Sequence, residues 1–406
     1  MKNFIKIREL FFPMAAWAFI FVIYFSFTWL FNEPINVLTL FLPVIFLFFL
    51  YLGYITTKKS YDNPVHIKKD FNLLIFAIIG FIPVCIYFFS SIDNLGKELA
   101  EIREEHMEQA SGDFKDSIYN LLFPLLMFSF IICNFNNLKY KIFVNILTIL
   151  SCLAFIPING GRINFIIFSC LYLAIYFHKN FELIKKSYLK YFGKFTLALL
   201  VISILGAMFT IMRTGVEGDT QVNFMSKLPH INNEALNYLG GSQFGIILIF
   251  FINTFYDYTG GCVYYLSIFT DTSDKISYLT YGFYNFNFLD RFGVINWMKV
   301  HDDIDHLYYD YDIRYNVWAT SIRDLSIDFG LIGSFIFIFF MSKLMFISKR
   351  YLHRSRSAQL VYFMSFAFFL FSPFHSMFYL TKAYGLGFIL AIILLVRYKL
   401  KKGLSV

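Results

Sequence analysis

Residues 142–177 read IFVNILTILSCLAFIPINGGRINFIIFSCLYLAIYF, and Arg162 is the only charged side chain among them. Two apolar runs, Ile142–Ile158 and Ile163–Phe177, meet at the turn Asn159-Gly160-Gly161-Arg162. A helix needs about 20 apolar residues to cross a hydrocarbon core of about 30 Å, so the pair reads as two membrane spans, the second short enough to need flanking residues or little tilt. No acid lies within three residues of Arg162 on either side, so the arginine calls for an anion that the local sequence does not supply.

The same pattern recurs along the 406 residues, of which 58% are hydrophobic and 15% charged. That composition marks an all-α polytopic membrane protein, a single integral membrane domain over residues 1–406. The spans expected are Phe11–Phe31, Val37–Ile55, Phe71–Ser90, Ile118–Phe135, Ile142–Ile158, Ile163–Phe177, Phe195–Met212, Gly330–Ile347, Ala358–Tyr379 and Ala383–Val396. Ten spans put both termini on one side. The first run follows Lys2, Lys6 and Arg8 as in a signal sequence, but it is long and lacks a small-x-small cleavage site, so it reads as an uncleaved span.

Charge orients these spans, because Lys- and Arg-rich loops stay in the cytoplasm. Segments on the side of the N-terminus hold 23 Lys and Arg against four acids, Glu9, Asp62, Asp70 and Glu182. The opposite side holds 12 basic and 23 acidic residues. The net +8 of the chain therefore reflects topology and does not point to nucleic acid. Both termini are expected to be cytoplasmic.

The five cysteines offer neither a disulfide framework nor a zinc spacing, since Cys85, Cys133, Cys152 and Cys170 lie in or at the ends of spans and only Cys262 falls in an outer loop. The 55 Phe and 28 Tyr accompany much Ile, Asn and Lys, as an AT-rich genome would give, and carry no functional weight as a total.

Two outer segments are long. Residues 91–117 carry good helix formers, with Lys97 and Glu101 four apart, and read as a solvated helix. Residues 213–329 form one large outer loop expected to contain interfacial helices, and a loop of that length is usually functional. Its run FGIILIFFI (244–252) is too short to span. If it did cross, residues 253–329, with 5 basic and 11 acidic residues, would be cytoplasmic, against the charge rule.

On this topology five arginines face outward: Arg162, Arg213, Arg291, Arg314 and Arg323. A guanidinium grips a phosphate through two parallel charge-assisted hydrogen bonds, where a lysine offers a point charge. Glycines before Arg162 would also let backbone amides approach an anion. The missing anion is thus read as a lipid-borne phosphate or pyrophosphate. The competing explanations are pairing with loop carboxylates, as Arg323 could pair with Asp324 or Asp328, and anchoring to lipid headgroups. Carboxylate pairing is weakest for Arg162 and Arg213, which have no acid within three residues on either side.

HDDIDH (301–306) contains an Asp303-x-Asp305 pattern and two histidines, but so short a motif is weak evidence for a metal. His301 or His306 could serve as a general base or stand as a solvated loop histidine. The tyrosines of YDYTGGCVYYLSIF (256–269), Tyr258 among them, and of HLYYDYDIRYNVW (306–318) could pack on sugar rings or sit at the membrane interface.

The stretch NVWATSIRDLSIDFGLIG (316–333) resembles the segment that leads from the large periplasmic loop into the next span in Wzy-type O-antigen polymerases, the oligosaccharide repeat unit polymerases. Asn316, Thr320, Asp328, Phe329, Gly330 and Gly333 carry that resemblance. Also similar are Gly161-Arg162, the span-closing Arg213, YTGG (258–261) and YGFYNFNFLDRFG (281–293), so the likeness covers about residues 155–335.

The resemblance implies a multi-spanning, C-class glycosyltransferase. It would move a growing glycan from undecaprenyl pyrophosphate onto a second lipid-linked repeat unit, with a chain-length regulator and a flippase as partners. It implies Arg162, Arg213, Arg323 and Asn316 as catalytic residues, and Arg291, Arg314, Tyr315, Thr320, Asp328 and Tyr258 as substrate contacts. Outer-face arginines can stabilise a departing pyrophosphate without a metal, so neither metal nor cofactor is expected. Related ligases, which use the same donor, carry a histidine where this chain has Tyr315, so the general base is left open. A transporter of lipid-linked sugars would more naturally show repeated halves, charges within spans and short outer loops.

Overall fold

The computed structural model describes residues 7–31, 33–57, 72–90, 114–159, 163–187, 259–272, 279–286 and 319–401. It also describes positions 190, 193, 197, 248–249, 251–253, 255–256, 299–300, 303–304 and 306–307. The described residues form helices, turns and short links, with no strand among them: α1 (Arg8–Phe27), α2 (Val37–Ile55), α3 (Asn72–Ser90), α4 (Phe114–Asn136), α5 (Lys141–Asn159), α6 (Ile163–Lys186), α7 (Gly261–Thr272), α8 (Ser321–Arg350), α9 (Arg356–Phe371), α10 (Met377–Leu380) and α11 (Lys382–Lys401). Among them, α1, α2, α3, α4, α8 and α11 are long and apolar enough to cross a membrane, while α9 and the apolar part of α5 are shorter. The protein is therefore helical and membrane-embedded.

The outward faces agree with that solvent. On α2, Val37, Phe41, Val44 and Phe48 recur at helical spacing and are all more than half exposed. Ile142, Ile146, Ile149 and Leu153 form a similar exposed stripe on α5, and Ile332, Ile336 and Phe340 another on α8, each about half exposed or more. In water such stripes would drive association, whereas lipid is their natural contact.

Between helices, small residues and single hydroxyls set the distances. A Cβ built on Gly53 of α2 would lie 2.3 Å from Ser342 Oγ of α8, and one on Gly80 of α3 would lie 2.4 Å from Leu126 N of α4. At the first of these contacts Ser342 Oγ donates to Leu50 O at 2.6 Å, a hydrogen bond across the helix pair.

The two ends of the bundle differ in chemistry. At the end where α1 starts, the fully buried Glu9 accepts from Arg8 Nε and Lys349 Nζ, each at 2.8 Å, and from Tyr362 OH. His178 Nδ1 lies 2.9 Å from the same phenol. This network joins α1, α6, the end of α8 and the start of α9. At the other end, Asn36 caps α2 by accepting from Thr39 N at 2.8 Å and reaches α7 by donating to Asp271 Oδ1 at 2.6 Å. The head of α8, the end of α9 and the start of α11 gather at that second end, together with the turn over residues 281–286.

Several expectations on span boundaries change. Past the apolar run at Ile163–Phe177, α6 continues to Lys186 across a kink at Asn180 (φ −106°, ψ 15°), and α11 runs on past Val396 to Lys401. The span expected at Gly330 begins instead as a longer helix, α8, interrupted at Gly330 itself (φ 69°, ψ 170°). Glycine reaches that conformation without a Cβ clash, so the head of α8, residues 321–329, leaves the span at an angle that other residues would resist. The run expected over Ala358–Tyr379 is not one helix. It is α9, a break at residues 372–376, then the single turn of α10. Residues 91–113 of the expected solvated helix and nearly all of the span expected at Phe195–Met212 lie outside the described residues.

Candidate active site

The break at residues 372–376 is held by the head of α8. Pro373 has no N–H to continue a helix, and inside a membrane the groups it leaves must find partners within the protein. Ser321 N donates to Ser372 O at 2.9 Å, and Ser376 N donates to Asp324 Oδ2 at 2.8 Å. Asp324 thereby becomes the centre of a buried cluster. Its Oδ1 accepts from Arg323 Nε at 3.0 Å and Nη2 at 2.8 Å, and its Oδ2 accepts from Nδ1 of His375. Arg323 and His375 are each 3% exposed, and Asp324 is wholly buried.

One turn further on, Asp328 organises a second segment. Its Oδ1 accepts from Thr280 Oγ1 and from the backbone N of Gly282 and Tyr284, both at 2.9 Å. Its Oδ2 accepts from Asn285 N at 3.0 Å and Asn285 Nδ2 at 2.7 Å. Thr280 N and Tyr281 N in turn donate to Ile327 O and Asp328 O, carbonyls that the bend at Gly330 releases from the helix ladder. Positive φ at Tyr281 (50°) and Gly282 (97°) curls the turn around the carboxylate. Two stretches more than forty positions apart in sequence thus form one unit.

Aromatic rings line this unit. Tyr284 stacks on Tyr379 with centroids 4.6 Å apart and planes 21° from parallel, and Tyr379 lies 4.8 Å from the His375 ring. Tyr284 and His375 are buried and Tyr379 is half-buried, so the three rings step inward from a partly open edge. Burial, reinforced by Tyr379, pushes the Tyr284 phenol well above its ordinary value despite the nearby Arg323, so it stays a neutral hydroxyl.

Three further hydroxyls, Thr320 Oγ1, Ser321 Oγ and Ser376 Oγ, are buried with no hydrogen-bond partner among the described residues. Thr320 stands at the N-cap of α8, yet its side chain makes no capping bond. Buried hydroxyls nearly always have partners, so a group of three beside a charged cluster points to a polar occupant.

Of the residues singled out in sequence, the structure brings together Thr320, Arg323 and Asp328. Arg323 makes the Asp324 pair that competes with anion binding in the sequence, and the Asp328 carboxylate is turned toward residues 280–285. Arg162, Arg213, Arg291, Arg314, Tyr315, Asn316, Tyr258, His301 and Asp305 lie outside the described residues. The helix that follows Arg162 does start at the end of the bundle that holds the cluster: the buried Asn164 of α6 accepts from Tyr119 OH at 2.7 Å near the start of α4. Among the described residues no three His, Cys, Asp or Glu side chains are grouped to hold a metal.

His375, Ser376 and Asp324 were not candidates from sequence. The signal available was SPFHS (372–376), where a proline and three polar residues interrupt an otherwise apolar run. The chain matches no family model, no curated protein and no solved structure.

Proposed function

We propose that the protein is an oligosaccharide repeat unit polymerase of the Wzy type, joining undecaprenyl-pyrophosphate-linked repeats at the outer face of the bacterial cytoplasmic membrane. The product would be an O-antigen or capsular polysaccharide. The observation that carries this is the meeting of two resemblance-bearing stretches, the head of α8 and the turn within residues 281–293, around Asp324 and Asp328 at the end of the bundle opposite Glu9. That end is the outer one on the charge rule, with ten spans and residues 213–329 forming the outer loop.

In the transfer, a hydroxyl of the acceptor repeat attacks the anomeric carbon of the donor glycan. The bond from that carbon to the pyrophosphate oxygen breaks, and the lipid pyrophosphate leaves with the electron pair. Arg323, kept charged and oriented by Asp324, is placed to stabilise the developing negative charge, with Arg162 and Arg213 from the same face. The rings of Tyr379 and Tyr284 suit the apolar faces of sugars, and Asp328 positions the turn that carries Tyr284. Asn316, Thr320, Arg291, Arg314, Tyr315 and Tyr258 belong to the same proposed substrate site. Beside it, an apolar groove along α8, lined by Leu279, Tyr281, Phe329, Gly333, Ile336 and Phe340, offers a surface for a polyprenyl tail.

The broken helix at residues 372–376 favours a second reading, a transporter of lipid-linked sugars, because such proteins bind substrate where helices are interrupted. A ligase is a third, differing only in acceptor. A deletion strain separates them. Loss of a polymerase leaves single repeats on the surface acceptor and no long chains. Loss of a ligase leaves long glycan on undecaprenyl pyrophosphate, and loss of a transporter traps single repeats on the inner leaflet. The expected pattern is the first, and long lipid-linked polymer in the deletion strain would exclude the polymerase.

A further inference from the structure

We infer that the end of the bundle holding Glu9 carries a site for one anionic phospholipid, whose headgroup phosphate bridges Arg350 at the end of α8 and Lys399 near the end of α11. The inference is independent of the polymerase proposal. Two basic residues stand side by side where α8 ends, and they are treated differently. Lys349 donates to Glu9, which also accepts from Arg8, so these charges neutralise one another within the protein. Arg350 and Lys399 have no such acid. Neither side chain has a hydrogen bond or a carboxylate partner among the described residues, and Arg350 Nη2 is buried without an acceptor. Both residues are half-buried. Lys399 Nζ lies 5.3 Å from the centre of the Tyr351 ring, next in sequence to Arg350, and the two cations are close enough to repel each other. The end of α11 is tied to the turn after α8 by Tyr398 OH, which donates to Arg354 O at 3.4 Å.

Two partly desolvated like charges call for an anion between them, and at a membrane surface the abundant anion is lipid phosphate. The neighbouring surfaces favour that source. Arg350 lies about five helical turns from Ile332, so it ends the exposed face of α8 that carries Ile332, Ile336 and Phe340. On α11, Ile393, Val396 and Leu400 recur at helical spacing and are half exposed or more. A headgroup at the two cations therefore has acyl-chain surface beside it, which a soluble phosphate would not use. The guanidinium offers two parallel donors to a phosphate, and the ammonium adds a point charge. A zwitterionic headgroup would bring a third cation to a spot that already holds two, so the arrangement selects a lipid of net negative charge such as phosphatidylglycerol. The charge rule places this end in the cytoplasm, the side on which basic pockets between helices bind anionic headgroups.

The test titrates the purified, delipidated full-length protein in detergent with phosphatidylglycerol and, separately, with phosphatidylcholine, and counts bound lipid by native mass spectrometry. Wild type should take up one phosphatidylglycerol at concentrations where phosphatidylcholine does not bind. A basic residue near a lipid headgroup is worth a factor of about five in affinity, so Arg350→Gln and Lys399→Gln should each weaken phosphatidylglycerol about fivefold and together about thirtyfold. Lys139→Gln, which removes an exposed cation at the same end, should leave binding unchanged. Soluble glycerol phosphate should not displace the lipid. Equal binding of the two lipids by wild type would overturn the site, whether or not the variants fold. So would a double variant that binds phosphatidylglycerol as wild type does, a loss in Lys139→Gln as large as in Arg350→Gln, or full displacement by glycerol phosphate. None of these readouts involves chain growth, so the polymerase proposal stands or falls separately.

Discussion

Asp328 and Asn285 meet through two bonds, Oδ2 accepting from the Asn285 backbone N at 3.0 Å and from its Nδ2 at 2.7 Å. With the three donors on Oδ1, the carboxylate anchors the turn at residues 280–285 to the head of α8. Asp328→Ala would strand several buried N–H groups, each costing about 1–3 kcal/mol. We expect a lowered thermal midpoint and protease cleavage near residues 280–286. An Asp328→Ala protein as stable and as resistant as wild type would show that the turn does not depend on this residue.

Glu9 holds the opposite end. Removing one partner of a buried ion pair typically costs about 3–5 kcal/mol, because the charge left behind stays desolvated. Glu9→Gln should therefore destabilise the protein strongly, and pairing it with Lys349→Met should recover part of the loss. Strictly additive effects in that double-mutant cycle would argue against direct coupling.

The α2–α8 contact leaves no space for a side chain. Gly53→Ala would place a methyl within 2.8 Å of Lys343 N as well as against Ser342. Overpacking of this kind costs about 1–3 kcal/mol. Ser342→Ala, which loses only the bond to Leu50 O, should be milder. Equal thermal midpoints for Gly53→Ala and wild type would mean that the helices separate at no cost.

Much of the fold was legible because lipid imposes a simple rule: spans must be long, apolar and helical, and five of the six span-length helices, α1, α2, α3, α4 and α11, overlap apolar runs at nearly their expected limits. The break at residues 372–376 was not legible, since hydropathy averages over Ser372, Pro373, His375 and Ser376 and registers only the surrounding Phe and Leu. Arg323 stood out because it opposes the charge bias. Its partner Asp324 was visible as a neighbour, whereas His375 is 51 positions from Asp324 and meets it only through the fold. Asp328 was legible by resemblance, but its five donors come from a turn that sequence alone does not dock.

Topology follows from the same chemistry. A cysteine at Lys275, between α7 and the turn at 281–286, should label from outside the cell, and one at the exposed His353, just past the end of α8, should be protected from an impermeant reagent. The opposite pattern would invert the bundle and detach the candidate site from the outer face.

The most direct measurement is chain growth by the purified protein supplied with undecaprenyl-pyrophosphate-linked repeats. Wild type should convert them to a ladder of longer lipid-linked glycans. Arg323→Lys should keep the charge yet lose about a hundredfold to a thousandfold in rate, as expected when one preorganised donor at a developing anion is removed. No ladder from a folded wild-type protein, or a ladder that Arg323→Lys leaves unchanged, would contradict the account.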